Sequence, residues 1–189
     1  MYFRALALTL LLVAPIAASG QLIDEVSVYV TGGKGITTWH GQADLHTLNL
    51  ELGRAWSPRT DVAIVISPTN VWQPQSWFGY SQGHGNEAVR AISASVLVRR
   101  RFGSETGKVQ WYADVATGPL VAEKRVPAAT SRFNFITQGG FGTIIGPSRR
   151  FPLYLGYRFA HISNGGYSER NPGLNISSLI VGTRMRVGR

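Results

Sequence analysis

Apolar residues recur at every second position in eight separate stretches of this 189-residue chain. A period of two is that of a β-strand, whose successive side chains point to opposite faces, and differs from the 3.6-residue period of a helix. Each stretch therefore predicts one strand with an apolar face and a small or polar face. The predicted strands span Val26–Val30, Leu45–Trp56, Asp61–Ser67, Ala88–Arg100, Val109–Gly118, Arg132–Ile145, Phe151–Ser163 and Leu174–Val187.

One apolar face on each strand fits two architectures. A soluble barrel or sandwich turns that face inward, whereas a membrane barrel turns it outward to lipid. The opposite faces suit the narrow, side-chain-filled interior of an eight-stranded barrel, but they also suit the wet face of a sandwich. Their residues include Ser93, Ser95, Asp114, Gln138, Gly140, Arg184 and Arg186.

The segments between the predicted strands alternate in length, which favours the membrane barrel. Outer-membrane barrels have long extracellular loops and short periplasmic turns. We therefore predict an all-β fold, an eight-stranded antiparallel up-and-down transmembrane β-barrel. The aromatic residues of the second long loop are candidates for a membrane-interface belt. The long segments are 31–44, 67–86, 118–131 and 164–173; the short ones are 57–60, 103–108 and 146–151; the loop aromatics are Trp72, Trp77, Phe78 and Tyr80.

The first twenty residues have the layout of a secretory signal peptide. Arg4 precedes an apolar run, Ala5–Val13, and small residues follow at Ala17–Gly20. The run is too short to cross a membrane as a helix. We therefore predict a cleaved signal peptide over residues 1–20 and a barrel over residues 21–189 in the bacterial outer membrane.

The formal net charge of +9 favours an anionic partner, either nucleic acid or a phosphorylated lipid surface. A signal peptide removes the protein from nucleic acid, so lipid is the expected partner and nucleic acid is not. Lys34, Lys124 and Arg125 lie in predicted long loops and are candidates for contacts with lipid phosphates. Arg99–Arg101 and Arg149–Arg150 lie beside predicted short turns, where solvated side chains are expected.

The chain contains no cysteine, which excludes thiolate metal sites and cysteine nucleophiles. Its four histidines include His40, His46 and His84, which are scattered over predicted loops and a strand end. Metal sites need ligands clustered in space, so no metal site is expected.

The densest group of polar residues runs from Phe159 to Asn175. His161 and Ser163 are two residues apart on a predicted strand, so they share a face, with Cα atoms roughly 6.5–7 Å apart. A histidine that takes the proton of a serine hydroxyl is the minimum unit of an activated serine. In a membrane barrel their face is turned to lipid, where polar groups are costly unless they serve a function. The same face carries Leu153, Leu155, Tyr157 and Phe159.

Two non-catalytic interpretations stay open on the residues alone. The Asn-Gly-Gly and Asn-Pro-Gly runs are also ordinary turn sequences, and His161 and Ser163 could simply end a strand. The chain would then be a non-catalytic barrel for envelope anchoring or ligand binding, or a soluble periplasmic barrel with an apolar cavity.

The run His161-Ile-Ser163-Asn164-Gly165-Gly166, followed by Asn171-Pro-Gly173, resembles the motif of the PagL family of lipid A 3-O-deacylases. Phe133-Asn-Phe135, with Gln138 and a glycine-rich continuation, is similar to the family as well. The resemblance implies an outer-membrane serine esterase that hydrolyses the 3-O-linked 3-hydroxyacyl chain of lipid A in lipopolysaccharide. It implies no metal or organic cofactor, and it leaves a homodimer open.

The resemblance also implies roles for individual residues. Ser163 would be the nucleophile and His161 the general base. Asn171 and the backbone N–H groups around Gly173 would stabilise the oxyanion, and Asn164 would support the loop.

The sequence departs from the family at position 175, where the founding members have a glutamate and this chain has Asn175. An asparagine can fix the tautomer of the histidine but cannot stabilise the imidazolium by charge. We favour Asn175 as the residue that orients His161, with Glu169 in the adjacent loop as the alternative carboxylate.

Overall fold

The structure is a computed structural model that describes residues 23–36, 42–77 and 79–187, and of Gln82 only the backbone. The predicted signal peptide, together with His40 and Phe78, lies outside the described residues, and the signal peptide stays a prediction. Among the described residues, no helix is long and apolar enough to cross a membrane.

Eight antiparallel strands form a closed barrel in which each strand pairs with its neighbours in sequence. The first strand also pairs with the last, so the sheet has no free edge. This confirms the predicted fold class. The strands are β1 (Glu25–Gly35), β2 (Asp44–Ser57), β3 (Thr60–Trp77), β4 (Tyr80–Phe102), β5 (Val109–Ala122), β6 (Phe133–Ile145), β7 (Leu153–Ser163) and β8 (Leu174–Arg186).

The apolar faces of the strands point outward. On β5, Val115 is 62% exposed, whereas the adjacent Asp114 is 5% exposed. The same alternation leaves Phe141 and Leu179 exposed on β6 and β8. An apolar wall of this kind is suited to lipid, so the sandwich and the soluble barrel with an apolar cavity are wrong.

The middle of the barrel interior is filled by an ionic network. Arg99 donates to both carboxylate oxygens of Glu51, at 2.7 and 2.9 Å, and to Asp114 Oδ2 at 3.2 Å. Arg158 donates to the same Asp114 oxygen at 2.9 Å and to the Tyr29 hydroxyl at 3.1 Å. Buried charges need such partners because leaving water is expensive.

The expectation that Arg99 and Arg101 are solvated is therefore wrong, since both side chains are buried. Their positions on β4 have the inward parity, and only Arg100 between them is exposed on the outer face. Arg101 pairs with Asp61, with Nε 3.0 Å from Oδ2.

The predicted loop over residues 67–86 is also wrong, because β3 and β4 continue through it to a tight turn at Gly79. The prolines of β3 lie where they cost the sheet few hydrogen bonds. Pro68 lies in a break of the β2–β3 ladder, between the pairs Thr47–Thr69 and Leu50–Ile66. Pro74 lies at an irregularity of the β3–β4 register.

An apolar cluster closes the end of the barrel that carries the long segments. The β5–β6 connection contributes Val126 and Ala128, which are fully buried against residues such as Leu120. Ile162 and Leu174 belong to the same cluster. These two inward side chains anchor the adjoining ends of β7 and β8, so the outward residues beside them are held on a firmly packed wall.

Candidate active site on the outer wall

His161 and Asn175 face each other in the β7–β8 ladder and point outward from the barrel. The two side chains are hydrogen bonded, with 2.7 Å between His161 Nδ1 and Asn175 Oδ1. An amide oxygen can only accept, so this bond requires the proton on Nδ1. Nε2 is then left with a free lone pair, which is the form of histidine that acts as a base.

Ser163 is the next outward residue of β7 after His161, and both residues are half-buried. Ser163 lies opposite Phe135 of β6, and Ile162 between the two candidate residues is fully buried. In the described part of the chain no hydrogen bond joins the Ser163 hydroxyl to His161. Hydrogen bonds between catalytic groups often tighten only when substrate is bound.

Asn164 holds the loop after β7 in shape from a fully buried position. Its backbone N–H donates to Asn171 Oδ1 at 2.9 Å, its side-chain amide donates to the Arg170 carbonyl at 2.8 Å, and its Oδ1 accepts the Gly166 N–H at 2.8 Å. The amide nitrogen of Asn171 donates to no described residue. The Asn171 side chain is therefore oriented through its oxygen, while its N–H groups stay available.

Gly173 brings the backbone of the loop against the His161 ring. Its φ of +69° is in the left-handed region that favours glycine. A Cβ at this position would lie 2.9 Å from His161 Cε1 and 3.6 Å from Nε2. Only a glycine lets the chain pass this close to the ring.

Glu169 is exposed, and no hydrogen bond or ion pair joins it to His161 in the part of the chain that the structure describes. The structure thus brings Asn175, and not Glu169, against the ring. The site contains an amide where a catalytic triad has a carboxylate.

Three aromatic rings form a wall beside Ser163, and the sequence analysis predicted neither this packing nor the part that Tyr167 has in it. Phe133 and Phe135 meet edge to face on the outer face of β6, with ring centroids 5.4 Å apart. Tyr167 packs on Phe133 and donates from its hydroxyl to the Phe133 carbonyl at 2.7 Å. The outward parity of β6 was a signal for the two phenylalanines, whereas nothing in the loop sequence pointed to Tyr167.

The candidate cations of the long segments contact other residues of the chain. Lys34 lies 4.0 Å from Asp44, and Arg125 stacks over the ring of Tyr80. Lys124 donates to Glu87 at 2.8 Å, and this hydrogen bond raises the pKa of Lys124. Lys124 therefore stays cationic at the extracellular end of the barrel.

The fold and the site together define a class of protein: a transmembrane β-barrel with a candidate hydrolytic site on its lipid-facing wall. The family described as "Lipid A 3-O-deacylase (PagL)" matches residues 61–184, which include every candidate site residue. The lipid A deacylase PagL of Bordetella bronchiseptica is 30% identical over 155 residues, covering 77% of this chain and 80% of that protein. The crystal structure of the outer membrane enzyme PagL superposes with a TM-score of 0.58 at 18% identity, covering 86% of this chain and 99% of that one. The chain belongs to the lipid A 3-O-deacylase family, and it is a hydrolase of the bacterial outer membrane.

Proposed function

We propose that the protein is a serine esterase that hydrolyses the 3-O-linked 3-hydroxyacyl chain of lipid A. One observation carries this proposal: the 2.7 Å bond between His161 Nδ1 and Asn175 Oδ1, on the same outward face as Ser163. The bond leaves Nε2 as a base two residues from a hydroxyl, on a surface that faces lipid.

In the first half of the reaction, His161 Nε2 takes the proton of the Ser163 hydroxyl as the oxygen attacks the ester carbonyl carbon. The tetrahedral intermediate collapses, the bond to the sugar oxygen breaks, and His161 donates its proton to that oxygen. In the second half, His161 activates a water molecule that attacks the acyl-serine. The 3-hydroxy acid leaves and Ser163 regains its proton.

The negative charge that develops on the carbonyl oxygen needs preorganised donors. Asn171 is suited to this role because its oxygen is held by the Asn164 N–H and its amide nitrogen is available. Backbone N–H groups around Gly173 are the second candidate donors, because this segment touches the His161 ring. Asn164 acts through the loop that it holds and does not touch the substrate.

Because Asn175 is neutral, this site stabilises a protonated His161 less than a triad with a carboxylate does. It holds the ring in the required tautomer but adds no negative charge against the imidazolium. Replacing the aspartate of a serine protease triad by asparagine lowers turnover by about 10⁴, largely because the tautomer is then wrong. Here the tautomer is suitable, so a much smaller loss is expected.

The position of the site supports lipid A as the substrate. The site lies on the outer wall near the end of the barrel with the long connections, which in outer-membrane barrels is the extracellular end. A lipid of the outer leaflet reaches such a site by lateral diffusion. All the proposed residues come from one chain, so the proposal does not depend on a homodimer.

Membership of an enzyme family argues against the non-catalytic barrel. The serine mechanism is tested by labelling the purified protein with a fluorophosphonate probe, which forms a covalent adduct with an activated serine. We expect the adduct on Ser163 and its loss in His161→Ala. Ser177→Ala is the matched control, because Ser177 shares the outer face but donates to the Tyr157 hydroxyl at 3.0 Å. Deacylation of lipid A without any adduct on Ser163 would contradict the proposal.

A further inference from the structure

A second polar row lies on a different part of the outer wall, on strands β1 to β4. His46 pairs in register with Gly32 on one side and with Asn70 on the other, and Asn70 pairs with Arg90. His46, Asn70 and Arg90 are exposed and point outward. The candidate active site lies on β7 and β8, so this row is a separate feature.

The row forms one rim of an apolar groove of about 740 Å³. Val30, Leu48 and Pro68 line the groove below the row. The groove lies where the β2–β3 ladder is broken, between the pairs Thr47–Thr69 and Leu50–Ile66. The unpaired stretch around Leu48 and Pro68 therefore forms part of an open depression in the outer wall.

The depth of the row in the membrane follows from β4. Arg90 and Arg100 both point outward and bracket the apolar positions between Ile92 and Val98. Ten residues of tilted strand rise about 26 Å along the barrel axis, close to the roughly 25 Å apolar band of outer-membrane barrels. Arg100 lies beside the short-turn end. Arg90 therefore lies at the outer-leaflet boundary, at the level of lipid headgroups.

Among the described residues, the Arg90 guanidinium makes no hydrogen bond or ion pair, and neither His46 nor Asn70 makes a side-chain hydrogen bond. The Glu123 carboxylate lies nearby but accepts the Arg90 backbone N–H, at 3.1 Å. Guanidinium groups bind phosphate through paired N–H donors, and amide and imidazole N–H groups add further donors.

We propose that this surface is a second lipid-binding site, which holds one phosphorylated glycolipid of the lipid A type from the outer leaflet. A phosphate of the headgroup binds Arg90, with Asn70 and His46 as additional donors, and one acyl chain lies in the groove over Leu48 and Pro68. We propose binding at this site and no catalysis. It rests on the location of the barrel in the outer membrane and not on the proposed catalytic role of Ser163.

Photo-crosslinking tests this site directly. The full mature chain with Ser163→Ala, which is expected to leave lipid A intact, carries p-benzoylphenylalanine at Leu48 and is reconstituted in vesicles of lipopolysaccharide and phosphatidylglycerol. The control carries the same group at Val115, which is exposed on β5 outside the groove. We expect the Leu48 probe to capture lipopolysaccharide in preference to phosphatidylglycerol, and the Val115 probe to show no preference.

Two matched substitutions connect capture to the polar row. Arg90→Gln is expected to lower the capture of lipopolysaccharide at Leu48 by about fivefold, the loss for one cation at an anionic surface. Arg100→Gln, on the same face of β4 at the opposite boundary, is expected to leave this capture unchanged. Asn70→Val removes a second proposed donor and is also expected to lower the capture of lipopolysaccharide. Four results would each overturn the proposal. The Leu48 probe could capture phosphatidylglycerol in preference to lipopolysaccharide, or it could capture a second copy of the chain. The Val115 probe could capture lipopolysaccharide equally well, or Arg90→Gln could have no effect in a folded barrel.

Discussion

His161 and Asn175 lie directly opposite each other on β7 and β8, with Nδ1 2.7 Å from Oδ1. The orientation of the proposed base therefore comes from a neutral amide on the neighbouring strand. From this contact we predict that removing the acceptor at position 175 lowers activity and that placing a carboxylate there raises it.

Asn175→Leu removes the acceptor and frees the ring to adopt the wrong tautomer. We expect turnover of lipid A to fall about 10²-fold or more, since general base catalysis contributes about 10²–10⁴. Asn175→Glu supplies the charge that the amide lacks and is expected to raise turnover about tenfold, equivalent to one pKa unit of interaction. Initial rates of 3-hydroxy acid release measure both variants. Full activity of Asn175→Leu would exclude the proposed orienting role.

Gly173→Ala tests the close contact between the loop and the ring. The new Cβ would lie 2.9 Å from His161 Cε1, so the ring must move, and displacement by about 1 Å can lower a rate about 10²-fold. Gly166→Ala is the matched control, because its φ of +80° is equally left-handed but its Cβ meets no atom within 4 Å. Both variants should lose about 1–2 kcal/mol of stability, and only Gly173→Ala should lose activity. Equal rates for the two variants would contradict the assignment.

The interior network predicts a large stability difference between neighbouring arginines of β4. Arg99→Met leaves the buried Glu51 and Asp114 without their shared partner and is expected to lower the free energy of unfolding by about 3–5 kcal/mol. Arg100→Gln loses only an exposed hydrogen bond to Thr60 and should change it by less than about 1 kcal/mol. Urea unfolding in detergent micelles measures both. Similar values for the two variants would mean that the network does not stabilise the barrel.

Glu87, beyond Arg90 and outside the apolar band, predicts a pH dependence of stability. Burial raises the pKa of Glu87, but the hydrogen bonds from Lys124, Gln73 and Gln75 outweigh burial and hold the pKa below its ordinary value. The folded state then binds the proton more weakly than the unfolded state, so the stabilisation is present above the ordinary pKa and is lost as the pH falls through the lowered one. Wild type should exceed Glu87→Gln in unfolding free energy at neutral pH, and the difference should shrink in acid. A difference that is independent of pH would contradict this.

Much of the fold could be predicted because the period of two separates the two faces of each strand, and the alternating lengths of the connections favoured a barrel with the apolar face outward. The parity of His161, Ser163 and Asn175 followed from the same rule. Strand ends were less predictable: long loops were predicted to begin at residues 67 and 118, but β3 and β5 continue past both positions. Pro68 and Pro119 lie there in breaks of a ladder, where a missing N–H costs little.

The details of the site that depend on packing could not be predicted. The position of Glu169 away from the ring follows from the way in which the buried Asn164 folds the loop. The burial of Arg99 follows from barrel closure, which brings Glu51 and Asp114 from distant parts of the sequence to one point. The inward parity of Arg99 on β4 is visible in the sequence, but the partners that its guanidinium meets inside the barrel are not, and the loop around Glu169 has no periodic pattern at all.

The most direct test of the central claim is a mass spectrum of lipid A from a Gram-negative host that expresses the protein, compared with Ser163→Ala at equal amounts in the outer membrane. We expect the loss of one 3-hydroxyacyl group from position 3 with the native chain, and intact lipid A with the variant. Unchanged lipid A with the folded native barrel, or the same loss with Ser163→Ala, would contradict the account.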